Sequence, residues 1–330
     1  MPVAKVRGVN IFYQVIGERG PWVALITGGR RGHDEFVPLA TKLAKAGYRV
    51  VLHDRRNTGR SDVLIEGDTA EEILWLDDLH ELLKQLNAVP SFIGGSSAGA
   101  RTAMRYYVRF PNDTRGLLLM RVTGGAFAAS RLPENYYGMF IKAAKDGGMA
   151  AVCATEQYQE RIAANPATRD RLMAMKPQDY IKVMSNWQDQ FIASTKMEVF
   201  GMTDADLASI KVPTVVIPGN DQTHASFNGK LAASKIPGSV LIPKGEFLNG
   251  NVFDQLGQDK QVVLHCKSGV RSAEALAVLA REPTRATERS TASARSRPPR
   301  THSPSGTPTS TAKPKPPASR PRVDSALPHS

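Results

Sequence analysis

Residues 90–111, PSFIGGSSAGARTAMRYYVRFP, combine a short apolar run, a cluster of small residues and a helical stretch that ends at Pro111. The cluster contains a G-x-S-x-G pattern at residues 95–99, with Ser97 at its centre. A sharp turn from a strand into a helix needs small residues on both sides, and such a turn exposes a serine hydroxyl at the edge of a sheet. Because the helix begins at Ala98, its backbone N–H can stabilise an oxyanion. The stretch therefore predicts a nucleophilic serine.

Short apolar runs alternate with helical stretches on both sides of this turn, which predicts an α/β fold with a mostly parallel sheet and helices on both faces. Helices are expected at residues 36–47, 70–88 and 97–111. Residues 70–88 carry apolar side chains at a spacing that gives the helix one buried face. The predicted strands lie within residues 9–17, 22–29, 48–54, 90–96, 116–125, 213–219 and 239–243.

The alternation stops between about residues 131 and 208, where the chain is rich in Met and has no strand-like run. An insertion of this kind between two strands predicts a helical cap over the strand ends. Its Met and aromatic residues are expected to form the core of the cap rather than a cofactor site. A flexible apolar cap is also compatible with a pocket for a small apolar substrate.

Three further motifs accompany the serine turn: TGG at residues 27–29, DRRNTGRSD at 54–62 and PTVVIPGNDQTH at 213–224. With these motifs, residues 1–240 resemble the α/β-hydrolase superfamily of capped serine hydrolases. The resemblance implies that Ser97 is the nucleophile, that Gly29 and Ala98 supply the N–H groups of an oxyanion hole, and that Asp221 is the catalytic acid. It implies acyl transfer from an ester-type small-molecule substrate to water, with no cofactor and no metal.

The histidine that should act as the catalytic base is not at the expected place. In this superfamily the base comes last in the chain, yet residues 244–261 after the last predicted strand contain no histidine. The base is therefore expected to be missing or improvised, with His33 and His224 as candidate substitutes. We therefore predict a serine hydrolase whose activity is impaired, with a hydrolase-fold binding protein without activity as an alternative.

Residues from about 236 to 280 resemble a second family, the rhodanese-like sulfurtransferases. The resemblance rests on VVLHCKSGVRS at residues 262–272, which implies a sulfur-carrying Cys266 with Arg271 nearby. A cysteine in a loop before a helix, beside basic residues, has a stabilised thiolate. Because the segment is shorter than an independent domain, we predict a partial rhodanese-like segment at 241–280. A persulfide carrier is the second alternative for function.

Basic residues dominate the end of the chain. The whole chain of 330 residues has a formal net charge of +12. Residues 281–330 are rich in Pro, Ser and Thr and contain no aromatic residue. Such a segment cannot bury enough apolar surface to fold, which predicts a disordered tail. Without aromatic side chains for base stacking, the tail does not favour nucleic-acid binding. The sequence also lacks an apolar run that could span a membrane and a signal peptide, so a cytoplasmic protein of undetermined oligomeric state is expected.

Overall fold

Eight strands form one sheet in the computed structural model, which describes residues 2–242. Across the sheet the order is β1-β2-β4-β3-β5-β6-β7-β8. The pairs β1–β2 and β2–β4 are antiparallel, and the other neighbouring pairs are parallel. The predicted mostly parallel sheet is therefore confirmed. The strands are β1 (Val3–Val6), β2 (Val9–Ile16), β3 (Trp22–Ile26), β4 (Arg49–His53), β5 (Ser91–Ser96), β6 (Thr114–Met120), β7 (Thr214–Ile217) and β8 (Val240–Leu241).

The first strand was not predicted from the sequence. β1 is a four-residue edge strand in which only Val6 is fully buried, so its apolar pattern is weak. It joins β2 through Arg7 and Gly8, which both have positive φ angles, 45° and 86°. Two residues with positive φ form the tight turn whose twist matches an antiparallel hairpin.

Helices cover both faces of the sheet, as the alternation along β3 illustrates. Ala24 and Ile26 pack in a core with residues of α2 and α3, whereas Val23 and Leu25 pack in a second core with α1. Successive side chains of a strand point to opposite faces, so one strand contributes to both cores. The helices of these layers are α1 (Val37–Lys45), α2 (Glu71–Gln85), α3 (Ala98–Arg109) and, before β8, α10 (Ser226–Lys235).

Between β6 and β7 the chain forms helices, in the region where the sequence predicts a cap. They have their own core, in which Met149, Met184 and Trp187 are buried, and this core extends onto Val63 and Ile65. The Met and aromatic residues thus serve packing. The helices are α4 (Gly125–Pro133), a π-helical turn (Glu134–Gly138), α5 (Met139–Ala154), α6 (Glu156–Ala164), α7 (Ala167–Met173), α8 (Pro177–Thr195) and α9 (Asp204–Ser209).

Two parts of the sequence-based prediction lie outside residues 2–242. These are the rhodanese-like segment, apart from its first residues, and the disordered basic tail at 281–330. Within the described residues, no helix has both the length and the apolar character needed to cross a membrane.

Candidate functional site

Ser97 lies in the sharp turn between β5 and α3, with φ 58° and ψ −117°. This conformation is strained for a residue with a side chain, and strained positions of this kind cluster at functional sites. The two flanking glycines are required by close packing. A β-carbon on Gly95 would lie 2.3 Å from the backbone of Gly99, and one on Gly99 would lie 1.9 Å from the carbonyl oxygen of Ile26. The G-x-S-x-G pattern is thus what lets the helix follow the strand so tightly.

The structure brings His224 to Ser97. The Nε2 atom of His224 lies 2.7 Å from the Ser97 hydroxyl oxygen, and its Nδ1 atom lies 2.9 Å from a carboxylate oxygen of Asp221. These three side chains form the sequence of contacts that a serine, a base and an orienting acid need.

The loop after β7 folds back on itself to hold His224 in this position. The Asp221 carboxylate accepts hydrogen bonds from the backbone N–H groups of Thr223 at 3.0 Å and His224 at 2.9 Å. A β-carbon on Gly219 would lie 2.2 Å from the carbonyl oxygen of His224, so only glycine permits this return of the chain. Asp221 therefore shapes the loop as well as contacting the imidazole.

Arg121 adds a positive charge beside the acid. Its Nη2 lies 2.6 Å from Asp221 Oδ2 and 3.0 Å from His224 Nδ1. Because a guanidinium only donates, it cannot share a hydrogen bond with an Nδ1–H that already donates to Asp221. We therefore assign the Arg121 bond to Asp221. Partial burial favours the neutral form of Asp221, but His224 and Arg121 outweigh it and hold the pKa of this carboxyl below its usual value.

The loop after β3 lies against Ser97, where an oxyanion hole is expected. A β-carbon on Gly28 would lie 3.2 Å from that of Ser97. The neighbouring Gly29 has a positive φ of 50°. On the other side, Ala98 is the first residue of α3, and the N–H groups of a first helical turn have no acceptor within the helix. The residues predicted as oxyanion donors thus lie in the two segments that adjoin Ser97.

His33, the other candidate base, lies in a different contact. Its Nδ1 is 2.9 Å from Asp54 Oδ1, and its backbone N–H donates to the same oxygen at 2.6 Å. The ring is buried and packs 4.7 Å from that of Phe12. The structure therefore brings His224, and not His33, to Ser97. The expectation of an impaired site has no support in this geometry, since an imidazole nitrogen faces the serine.

Sequence analysis did not identify two polar residues beside this site. Arg121 lies 100 positions from Asp221 in the chain, and Thr123 Oγ1 is 3.4 Å from the Ser97 hydroxyl. No local pattern marks either residue. Cys266 and Arg271, the candidates for sulfur chemistry, lie outside the described residues. Within residues 2–242, no group of three or more His, Cys, Asp and Glu side chains could hold a metal ion.

Comparison with known proteins identifies relatives of this chain. The profile of a family described as serine aminopeptidase, S33, matches residues 20–225. The bifunctional esterase/perhydrolase DCH of Acinetobacter calcoaceticus is 25% identical over 74% of this chain and 90% of its own length. The non-heme chloroperoxidase CPO-A1 of Kitasatospora aureofaciens is 26% identical over 73% of this chain and 89% of its own. The uncharacterized hydrolase YraK of Bacillus subtilis strain 168 is 37% identical, but this match spans only 41% of YraK and 34% of this chain.

Solved structures show the same fold. A hydrolase from Pseudomonas aeruginosa PA01 superposes with a TM-score of 0.53 at 20% identity, over 84% of this chain and 97% of that one. The enol-lactonase from Burkholderia xenovorans LB400 has a TM-score of 0.51 at 19% identity, over 77% of this chain and 97% of that one. The fold, the serine turn and the family match agree, and the chain belongs to the serine aminopeptidase (S33) family of α/β-hydrolases.

Proposed function

We propose that this chain is a serine hydrolase that cleaves an ester-type bond in a small substrate, with Ser97 as nucleophile, His224 as base and Asp221 as the orienting acid. The observation that carries the proposal is the 2.7 Å distance between His224 Nε2 and the Ser97 hydroxyl. That distance is within the reach required of a general base. Ester chemistry is favoured by the relative DCH, whose name includes esterase activity and which aligns over most of its length.

The reaction would proceed by two acyl transfers. His224 Nε2 takes the proton of Ser97 as the hydroxyl oxygen attacks the ester carbonyl carbon. The N–H groups of Gly29 and Ala98 stabilise the negative oxygen of the tetrahedral intermediate. The imidazolium, stabilised by Asp221, then protonates the leaving alkoxide. Water attacks the acyl-enzyme by the reverse sequence of proton transfers and releases the acid, so no cofactor is needed.

The base in this proposal follows the acid by three residues, so the chain order serine, acid, base is kept, but it lies in the loop after β7 instead of after the last predicted strand. Position in the chain is not a requirement of the chemistry, because a triad is defined by the geometry and roles of its members. With Nδ1–H donating to Asp221, the lone pair of Nε2 faces Ser97, which is the tautomer a base needs. The contacts of Asp221 with the backbone of Thr223 and His224 hold this arrangement.

The test is hydrolysis of short p-nitrophenyl esters by the full chain, together with labelling by a fluorophosphonate. We expect turnover of p-nitrophenyl acetate and butyrate and covalent labelling at Ser97. Ser97→Ala should abolish both. Ser96→Ala is the matched control, because this adjacent serine is 6% exposed and has no role in the proposed chemistry. Equal labelling of wild type and Ser97→Ala, or ester turnover that survives in Ser97→Ala, would contradict the proposal.

A further inference from the structure

Several arginine side chains are buried beside the loop after β3, where water cannot screen their charge. Among residues 2–242, the acidic side chains that form ion pairs with these arginines are Glu71 and Glu72, at the start of α2. A buried charge is costly unless an opposite charge or hydrogen bonds compensate it. The arginines are Arg30, Arg55 and Arg101, whose side chains or residues are at most 9% exposed.

Each glutamate is already engaged by another arginine. Glu71 accepts hydrogen bonds from both terminal nitrogens of Arg30, at 2.8 and 2.6 Å. It also accepts from Asn57 at 3.1 Å and from Tyr137 at 3.0 Å.

Glu72 is engaged in the same way on the other side. It accepts from Arg101 and, at 2.8 Å, from Arg105. Arg55 therefore has no carboxylate partner among the residues that the structure describes.

Arg55 is fixed in place, yet incompletely bonded. It is 2% exposed, its guanidinium lies 4.4 Å from the centre of the Trp75 ring, and its Nη2 donates to the carbonyl oxygen of Gly29. Within residues 2–242, its Nε and Nη1 have no acceptor. Burial, together with the charges of Arg30 and Arg101, lowers the pKa of Arg55 to about 10, so the group still carries its charge at neutral pH.

The bond to Gly29 places Arg55 at the loop that adjoins the nucleophile. Among residues 2–242, the Tyr136 hydroxyl is the only group within 4 Å of a β-carbon placed on Gly29, at 3.8 Å. Arg161 is another buried arginine, and its Nη1 has no acceptor within residues 2–242, but its guanidinium lies over the rings of Phe140 and Tyr158 in the helical region between β6 and β7.

We propose that the substrate carries a carboxylate in addition to its ester, and that Arg55 binds this carboxylate beside the oxyanion loop. A ligand carboxylate would accept hydrogen bonds from Arg55, as Glu71 accepts them from Arg30 and Glu72 from Arg101. Charge-assisted hydrogen bonds of this kind are among the strongest in proteins. The inference rests on the proposed ester hydrolysis and departs from the sequence-based expectation of an apolar substrate.

The test compares esters that differ only in a terminal carboxylate. The monomethyl esters of succinic, glutaric and adipic acid are matched with the methyl esters of butyric, valeric and hexanoic acid, and hydrolysis is followed by pH-stat. At one or more chain lengths we expect kcat/KM for the charged ester to exceed that of its neutral match by at least about tenfold, because a hydrogen bond to a charged group is worth roughly 10–100-fold. Arg55→Met should bring the ratio of the two kcat/KM values to about one, whatever its effect on the neutral esters, because it also removes the bond to the Gly29 carbonyl oxygen.

Arg49→Met is the matched control. Arg49 also donates to a glycine carbonyl oxygen, that of Gly20 at 3.0 Å, and lies over a tryptophan, 4.0 Å from the ring centre of Trp22. It stands at the start of β4, whereas Arg55 follows the end of that strand. We expect Arg49→Met to keep the preference for charged esters.

Three outcomes would overturn the proposal. They are equal kcat/KM for charged and neutral esters in the wild type at every length, an equal loss on both classes in Arg55→Met, and loss of the preference in Arg49→Met. If Arg55→Met does not fold, the wild-type ratio decides alone, and Arg55→Lys tests whether a point charge preserves the preference.

Binding without turnover separates this proposal from the proposed function. In Ser97→Ala, glutarate should raise the melting temperature, and the added change Arg55→Met should remove this rise. No rise with glutarate overturns the carboxylate site even if esters are hydrolysed. A rise with no ester turnover by the wild type would defeat only the proposed function.

Discussion

The loop after β7 and the loop after β3 each hold a histidine against an aspartate. His224 Nδ1 lies 2.9 Å from Asp221, and His33 Nδ1 lies 2.9 Å from Asp54. By this distance alone the two pairs are the same. They differ in what the other ring nitrogen meets: His224 Nε2 faces the Ser97 hydroxyl at 2.7 Å, whereas His33 Nε2 is 3.3 Å from the carboxylate of Asp34.

The two aspartates also differ in how they are surrounded. Asp54 is 1% exposed and accepts backbone N–H groups of His33 and Arg60, at 2.6 and 2.8 Å, so it ties together the turn that follows β4. The side chain of Asp221 is 44% exposed. An aspartate–histidine contact therefore does not identify a catalytic base. The group at the far nitrogen does, and so we expect one pair to act in chemistry and the other in folding.

The largest effect should come from exchanging the two histidines in turn for alanine. His224→Ala removes the group that takes the serine proton, and we expect ester hydrolysis to fall on the order of 10⁴–10⁶-fold, the scale seen when a triad base is lost. Its melting temperature should change less, because His224, although only 8% exposed, lies in a loop whose residues Asp221 and Gln222 are exposed.

His33→Ala is expected to show the reverse behaviour. It leaves the buried Asp54 without its imidazole partner, which should cost about 2–3 kcal/mol of unfolding free energy, while kcat at a temperature where the variant is folded stays near wild type. Initial rates with p-nitrophenyl butyrate and urea unfolding measure both quantities. A large loss of kcat in folded His33→Ala, or none in His224→Ala, would reverse the assignment.

The next effect concerns the aspartates. Asp221→Asn removes the negative charge that stabilises the imidazolium, and its amide NH₂ can donate to Nδ1 of His224 and hold the ring in the wrong tautomer, so kcat should fall on the order of 10³–10⁴-fold. Asp54→Asn should act on stability, because it breaks the buried contacts of the turn. Kinetics and urea unfolding of the two variants side by side test this. If Asp221→Asn kept more than about a tenth of wild-type kcat, Asp221 would not be the orienting acid.

Much of the fold could be predicted because it depends on short-range patterns. The apolar runs and the glycines around Ser97 are local, and the close approaches of Gly95 and Gly99 explain why that motif is so informative. The strand β1 was not predicted because it has only four residues, of which Val6 alone is buried, and these do not make a clear alternation.

The position of the base could not be predicted in the same way. Sequence reasoning identified His224 as near the acid, but it gave priority to the position after the last predicted strand, where the superfamily usually places the base. His224 reaches Ser97 because the backbone folds back at Gly219 and the His224 N–H donates a hydrogen bond to Asp221. A fold of this kind leaves no periodic pattern of apolar residues in the sequence. The contact itself joins residues 127 positions apart.

Arg55 and Arg121 were missed for a related reason. Each is one basic residue among 43 in the chain, and only tertiary contacts single it out. Arg121 is distinguished by its ion pair with Asp221, and Arg55 is distinguished by the lack of an acidic partner among the described residues. A surplus of buried charge is a property of a packed neighbourhood, so composition cannot reveal it.

The last prediction concerns His53, a buried histidine that belongs to neither pair. His53 precedes Asp54 and is 3% exposed, and its Nδ1 has no partner among residues 2–242. Burial, aided by the charge of Arg55, lowers the pKa of His53 from 6.5 to about 4. Between these two pH values the unfolded chain takes up a proton on His53 that the folded chain does not. The unfolding free energy should therefore fall as the pH falls from 6.5 to 4, by about 3 kcal/mol from this residue. Asp54, whose pKa is also lowered, acts in a separate window below 3.8, where protonation of its carboxylate removes further stability.

In His53→Leu the fall in unfolding free energy between pH 6.5 and 4 should be smaller than in wild type by about 3 kcal/mol, as measured by urea unfolding at several pH values. Because the change in unfolding free energy with pH is compared between the two proteins, the effect of the substitution on packing drops out. Parallel slopes would mean that His53 is protonated in the folded protein, and that the surroundings of Asp54 and Arg55 are more accessible to water than their burial indicates.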